Sequence, residues 1–350
     1  MRRGMVLAAG GGAVLAIATM AFGAGQWLSG PSKAAMANAA AKSDAELTTG
    51  AIAGRWPGNE PDKTSAPAAA PAVQPATTRT SQPAPVAAPA CANPNAMGVS
   101  RTVEIDTTGG PGLGMSQYRD YDFLQPGEVV LTFDDGPWPV NTPAVLAALD
   151  AQCLKAVFFP VGKHASWHPA ILKQVLAAGH TVGSHTWSHV NLAIKPLQEA
   201  KDEIEKGFSA ATIAAGQPVS PFFRFPQLRQ TAELKAYLGE RNIAAFSIDV
   251  DSEDFRIHKP EALVTAVMTK LKKTGKGILL MHDFQKSTAQ ALPEILRQLK
   301  DGGYKVVHIR AKDTAVTLPE YDAVVAAAAA PVKTSNAKPI AGVIRTVSGN

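Results

Sequence analysis

The chain has 350 residues, 46% of them hydrophobic and 18% charged, a length that allows one large domain or two small ones. Residues 1–90 hold 7 Lys and Arg and 4 Asp and Glu, and residues 323–350 hold 3 and none. Of the chain's 34 and 29, residues 91–322 therefore keep 24 and 25, a net charge of −1. The basic excess belongs to the tails, and no basic stripe interleaved with aromatics runs through the middle of the chain, which excludes nucleic acid as the expected partner.

In chain order, residues 1–25 place two arginines before an apolar run and then small residues, the pattern of an export signal. The run is long enough either to be cleaved near residues 21–24 or to remain as a membrane anchor. Residues 26–90 are rich in Ala, Pro, Thr and Ser, which cannot bury enough apolar surface to offset chain entropy, and are expected to form a disordered linker. In an exported chain the two cysteines, Cys91 and Cys153, are expected to pair as a disulfide that staples the start of the domain to its body. Residues 91–322 are the expected folded domain, and residues 323–350, alanine-rich without an amphipathic face, an expected disordered tail.

Within the domain, β-rich apolar runs fall at Val129–Phe133, Ala156–Pro160, Thr181–Ser184, Phe222–Phe225, Ala244–Val250, Gly277–Met281 and Lys305–Ile309. Segments with helical spacing lie between them, among them TPAVLAALDAQ, HPAILKQVLAAG and ALPEILRQLKDGG. This alternation implies a parallel sheet with helices outside, and about seven strands point to a distorted (β/α) barrel. In such barrels chemistry sits on the loops that follow the strands.

Polar clusters end five of those strands. VVLTFDDGPWPVN places Asp134 beside Asp135, HTWSHVNL places His185 four residues before His189, and FFRFPQ carries Arg224. IDVDSEDF carries Asp251 and Asp254, and LLMHDF carries His282 and Asp283. Two imidazoles four apart share one face of a helical turn, a spacing that zinc enzymes use. One of the aspartates with the two histidines would complete a three-ligand set that leaves a position for water. The other aspartate can accept a proton from water whose pKa the metal has lowered, and an arginine beside it would keep it ionised. A further histidine can protonate a leaving group, its pKa raised by a neighbouring carboxylate. These parts describe a metal hydrolase acting on an acyl carbon.

From Val129 to Ile309 the chain resembles the polysaccharide deacetylase family, the chitooligosaccharide-deacetylase homology domain of carbohydrate esterase family four. TFDDGP is similar to the family's first motif, which implies Asp134 as base and Asp135 as metal ligand. HTWSH is similar to the second, implying His185 and His189 as ligands. RFPQ is similar to the third, implying that Arg224 pairs with the base and that the Gln227 backbone N–H helps bind the oxyanion. DSEDF and LMH are similar to the fourth and fifth, implying that Asp254 tunes the acid His282, with Phe255 and Leu280 lining the acetyl pocket. Gln227 stands where the family usually has Tyr, and Phe255 where it usually has Trp. The first change keeps the backbone donor; the second keeps an aromatic but shrinks a pocket wall.

The resemblance implies an enzyme that removes N-acetyl groups from amino-sugar polymers such as peptidoglycan or chitin-like oligosaccharides, and the N-terminal export pattern places it in the periplasm, the cell envelope or the extracellular space as an expectation. A divalent metal is implied, zinc first, with cobalt or nickel as alternatives, and a monomer is expected. Two rival expectations are an O-acetyl esterase of the acetyl-xylan type and an envelope carbohydrate-binding protein that has lost catalysis. Trp138 and Trp187 suit either sugar stacking or core packing. His180 and His308 read as structural, His164 and His168 suit either substrate contact or loop solvation, Asp251 suits a turn cap beside the site, and Asp283 suits either support of His282 or a solvent-facing surface.

Overall fold

A computed structural model describes residues 93–119 and 121–329. The chain enters through β1 (Val99–Ile105), β2 (Gly112–Leu113) and β3 (Glu128–Asp134), then passes α1 (Asn141–Ala151), β4 (Val157–Phe159), α2 (Gly162–Trp167), α3 (Pro169–Ala177) and β5 (Thr181–Val182). It continues through α4 (Leu197–Ala215), β6 (Phe222–Arg224), α5 (Ala232–Glu240), β7 (Ala244–Phe246) and β8 (Val250–Asp251). It closes with α6 (Pro260–Thr274), β9 (Gly277–His282), α7 (Lys286–Asp301), β10 (Lys305–Ala311) and α8 (Pro319–Ala329).

Local chemistry explains the boundaries. Every residue of β3, EVVLTFD, is buried, as expected for a parallel strand covered on both faces. The side chain of Thr231 accepts from the Leu234 N–H and caps α5. Pro260 opens α6 at a position where its missing N–H costs nothing, and Gly275, at φ 75°, ends it in the left-handed conformation that favours glycine. In α7, Leu292, Ile295, Leu296 and Leu299 recur at helical spacing and are all buried.

The pairings trace an incompletely closed barrel of parallel strands. β8 pairs with β9, β9 with β3, β3 with β4 and β4 with β5. A bridge from Ser184 to Phe223 leads on to β6, which pairs with β7, and β7 runs on to β8. Alternation along each strand then separates two cores. Val130, Val157, Phe159, Phe222, Phe246 and Ile278 form an interior cluster without helix residues. Their neighbours Leu131, Phe158, Phe223 and Leu279 face outward and pack with α1 to α7 residues such as Val145, Phe208 and Leu296. The same alternation carries Thr132 and Asp134 onto the inner face after Val130, Arg224 after Phe222, and Leu280 and His282 after Ile278.

Three sequence expectations change. The single strand expected over Ala244–Val250 is two: Ser247 N–H bonds to the Leu113 carbonyl, whereas Asp249 N–H bonds to Ile278, so the chain changes partner between them. β10, expected as a member of the ring, pairs along its length with β1 and meets β3 only at Lys305 and Val306, before β4 joins β3 at Thr132. β8 supplies the seventh strand of the circuit instead. Residues 323–329, expected to begin a disordered tail, instead belong to α8, which runs to Ala329 with Val325 buried and the Tyr321 hydroxyl donating to Asp202 on α4 at 2.7 Å; the rest of that expected tail lies outside the described residues. Cys153 is disulfide-bonded. Its expected partner Cys91, the N-terminal signal or anchor, and the linker lie outside the described residues. Among the described residues no helix is long and apolar enough to cross a membrane.

Candidate active site

Strand ends deliver the polar groups to one rim. Asp134, Arg224, Asp251 and His282 are the last residues of β3, β6, β8 and β9, and His185 follows β5. Asp134, His185, Asp251 and His282 line a cleft of about 410 Å³ together with Gln227, Phe255 and Leu280, and Arg224 is buried behind Asp134.

The adjacent aspartates diverge. Asp134 Oδ1 accepts from Arg224 Nη1 at 2.7 Å. Asp135, held at φ 74°, turns Oδ1 toward His185 Nε2 at 3.6 Å and His189 Nε2 at 3.4 Å. Arg224 is fully buried: Nη1 also donates to Thr132 Oγ1 at 2.8 Å, Nη2 donates to the Ser247 carbonyl at 3.0 Å, and the guanidinium lies over the Phe159 ring. A guanidinium so bonded is held in place beside the Asp134 carboxyl group.

The residues present fit a divalent cation. His185 Nδ1 donates to the Arg224 carbonyl at 2.6 Å, and burial pushes the ring's pKa below its ordinary value despite the Asp134 and Asp135 charges. The imidazole is therefore neutral with a free Nε2 lone pair. Asp135 Oδ1, facing that nitrogen, is buried without a hydrogen-bond partner. One ligand atom each from Asp135, His185 and His189 lies within 4.8 Å of the others. An unsatisfied buried carboxylate oxygen between two imidazole nitrogens is costly unless a cation completes it.

Across the cleft, His282 Nε2 lies 3.9 Å from Asp135 Oδ2. Its Nδ1 donates to Asp254 Oδ1 at 2.6 Å, and its backbone N–H donates to Asp254 Oδ2 at 2.7 Å. Thr288 Oγ1 also donates to Asp254 Oδ2. Burial alone would lower the His282 pKa, but the bond to Asp254 and its charge, reinforced by Asp135 and Asp134, hold it up at about 9. Burial pulls Asp254 the other way, yet the bonds from His282 and Thr288 keep its carboxyl below the usual range. Both shifts describe an ionised pair.

The remaining sequence candidates separate. Asp251 lines the cleft while its Oδ1 accepts from the Glu253 N–H at 2.8 Å. Phe255 is exposed beside the His282 ring, at 6.3 Å between centroids. Gln227 adopts φ 56°, so the chain turns away from Arg224 directly after Pro226. Trp138 stands outside the cleft lining, its ring edge-on to His164 and His168. Trp187 is fastened by its backbone N–H to the Glu203 carbonyl on α4. Asp283 neither supports His282 nor faces solvent: it is buried and accepts from the Gly136 N–H at 2.9 Å and Thr142 Oγ1 at 2.6 Å. Burial pushes its pKa up to about 7 against those bonds. Sequence reasoning missed Thr132, Ser247 and Thr288, which act through single hydroxyl or carbonyl groups that no spacing marks.

Fold and site together define a parallel α/β barrel with a cluster of Asp135, His185 and His189 that could hold a metal ion on its rim, between the Asp134–Arg224 and His282–Asp254 pairs. A family model described as polysaccharide deacetylase matches residues 124–245. The chain is 34% identical over 184 residues to the peptidoglycan-N-acetylglucosamine deacetylase PgdA of Listeria monocytogenes, covering 52% of this chain but only 38% of that protein. To the chitooligosaccharide deacetylase of Bradyrhizobium sp. it is 31% identical over 155 residues, 44% of this chain and 70% of that one. The solved peptidoglycan deacetylase Bd3279 of Bdellovibrio bacteriovorus superposes with a TM-score of 0.56 at 35% identity, over 61% of this chain and 59% of that one. The chain belongs to the polysaccharide deacetylase family. The family-model match ends before Asp254, Leu280 and His282, so their assignment leans on geometry.

Proposed function

We propose that the protein is an exported, metal-dependent deacetylase that removes N-acetyl groups from an amino-sugar polymer, peptidoglycan or a chitin-like oligosaccharide. Asp134 is the general base, His282 the general acid, and Asp135, His185 and His189 hold the metal. The main support is the arrangement of two buried pairs, Asp134–Arg224 at 2.7 Å and His282–Asp254 at 2.6 Å, on either side of the metal cradle. A divalent ion there, zinc by its N and O donors with cobalt or nickel as substitutes, would act as a Lewis acid and lower the pKa of water.

Asp134 takes a proton from the attacking water at Oδ2, since Oδ1 is committed to Arg224. Water oxygen bonds to the acetyl carbonyl carbon, and the Gln227 backbone N–H receives the developing negative charge. As the C–N bond breaks, His282 Nε2 gives its proton to the nitrogen, leaving acetate and a free amine. An amide nitrogen is a poor leaving group unless protonated, so a histidine held protonated by Asp254 suits N-acetyl groups better than O-acetyl esters. Leu280 and Phe255 border the space for the acetyl methyl, and Trp138 offers an aromatic face to a neighbouring sugar. The names of the peptidoglycan and chitooligosaccharide deacetylases among the relatives support this substrate class. An N-terminal export signal or anchor and a long linker over residues 26–90 suit an envelope polymer, and we assign a monomer.

Acetate release from peptidoglycan, chitooligosaccharides and acetyl-xylan by the zinc-loaded protein tests this reading. Release from an N-acetylated glycan is expected, with Asp134→Asn reducing it by roughly 10²- to 10⁴-fold while zinc content is kept. Release confined to acetyl-xylan, or an Asp134→Asn variant of undiminished rate, would overturn it.

A further inference from the structure

The peptide unit between Asp135 and Gly136 is gripped at both polar ends by side chains from elsewhere in the fold. His164 on α2 donates from Nδ1 to the Asp135 carbonyl oxygen at 2.6 Å. A carbonyl can only accept, so this nitrogen carries the proton. Asp283, after β9, accepts at Oδ1 from the Gly136 N–H at 2.9 Å, and its Oδ2 is secured by Thr142 Oγ1. Both groups hold the residue whose φ of 74° turns its carboxylate toward His185 and His189. That conformation is unfavourable for a side-chain-bearing residue and persists only where its surroundings impose it.

The flanking contacts hold the clamp itself in place. The His164 ring lies between Trp138 and Trp167, with centroids 5.2 Å from each. Asp283 is fully buried against Gly136, where any Cβ would collide with its carboxylate. The Gly136 carbonyl in turn accepts from the Val161 N–H at 3.2 Å. We infer that His164 and Asp283 are positioning residues that clamp the Asp135–Gly136 peptide and so aim the Asp135 carboxylate at the metal cradle. Asp283 also follows His282 directly, so one loop fixes ligand and acid relative to each other. The inference rests on the proposed reading of Asp135, His185 and His189 as metal ligands.

Zinc affinity measured by chelator competition, without substrate, tests the clamp on the full chain. Partners that orient a metal ligand typically contribute roughly 10- to 100-fold in affinity. His164→Phe, which keeps a ring between the tryptophans but removes the donor, is expected to weaken zinc binding about tenfold or more. His164→Asn, whose Nδ2 sits near the place of Nδ1, should recover most of that loss. Asp283→Ala should weaken zinc comparably, and the double variant should fall short of the product of the two effects because both act on one peptide. If Asp283→Ala does not fold, the His164 pair still decides. Wild type binding zinc while His164→Phe binds it equally well, with unchanged thermal unfolding of the metal-free protein, would overturn the clamp alone. Wild type failing to bind zinc would overturn the metal reading, and the clamp with it.

Discussion

At the scale of single residues, each proposed acid or base is defined by the partner behind it. His282 works as an acid only while protonated, so the rate falls as pH rises through its pKa. Burial opposes the proton, and the Asp254 bond and charge outweigh burial to hold the pKa at about 9. Asp254→Asn removes the charge and leaves the burial. The alkaline limb of kcat/KM should then move at least one pH unit lower, read from a pH–rate profile of the metal-loaded variant. An unmoved limb would show that Asp254 does not set the acid. The adjacent carboxylates Asp134 and Asp135 were legible because two like charges at a strand end demand separate partners. The Asp135 backbone conformation was not, since it depends on His164 and Asp283, distant in sequence and each an ordinary residue there.

At the scale of elements, the strands were legible where apolar runs are continuous and illegible where pairing is short or one-sided. β1 carries Arg101 in mid-strand, its guanidinium bonded to Glu128, and so breaks the apolar pattern although it pairs with β10 from Val99 to Ile105. α8 hides its docking because Tyr321 and Val325, one turn apart, are the anchors in an otherwise alanine-rich segment. The end of the barrel opposite the cleft holds two histidines that were read as structural. His180 accepts at Nδ1 from the Ala156 N–H at 3.1 Å, and His308 meets Thr181 Oγ1 through Nε2 at 3.0 Å. Burial, with Lys155 and the other histidine adding, lowers His180 to about 3; burial with Arg310 and Lys155 lowers His308 to about 4. A base whose folded pKa lies below its unfolded value binds fewer protons when folded, so stability falls as pH drops. The window opens near the unfolded value of about 6.5 and closes near the folded values of about 3 and 4. His180→Asn, which keeps an acceptor near Nδ1 and cannot titrate, should flatten part of this loss. The measurement is Tm at pH 4 against pH 7: a gap in the variant as wide as in wild type would remove His180 from the acid limb.

At the scale of the whole molecule, the site depends on strands far apart in sequence sharing one rim. Asp135 leaves β3 and His185 and His189 follow β5, with β4 between them in the sheet. The domain thus folds two loops against each other around the unsatisfied Asp135 Oδ1, with Asp135, Thr186 and His189 all at positive φ. A cation bound there joins the two loops only in the folded state, because the unfolded chain does not bring the three ligands together. Ligand linkage then sets the size of the effect: at 100 times Kd, zinc adds about 2.7 kcal/mol to stability. For a domain of roughly 200 residues each kcal/mol moves Tm by about 2–4 °C, so saturating zinc should raise Tm by roughly 5–10 °C and chelation should return it. His189→Ala should abolish the zinc-dependent rise while leaving the metal-free Tm nearly unchanged, because His189 is partly exposed and its backbone N–H bonds to Thr186 Oγ1 independently of the ring. A zinc-dependent rise that survives in His189→Ala would place the stabilising ion elsewhere on the molecule.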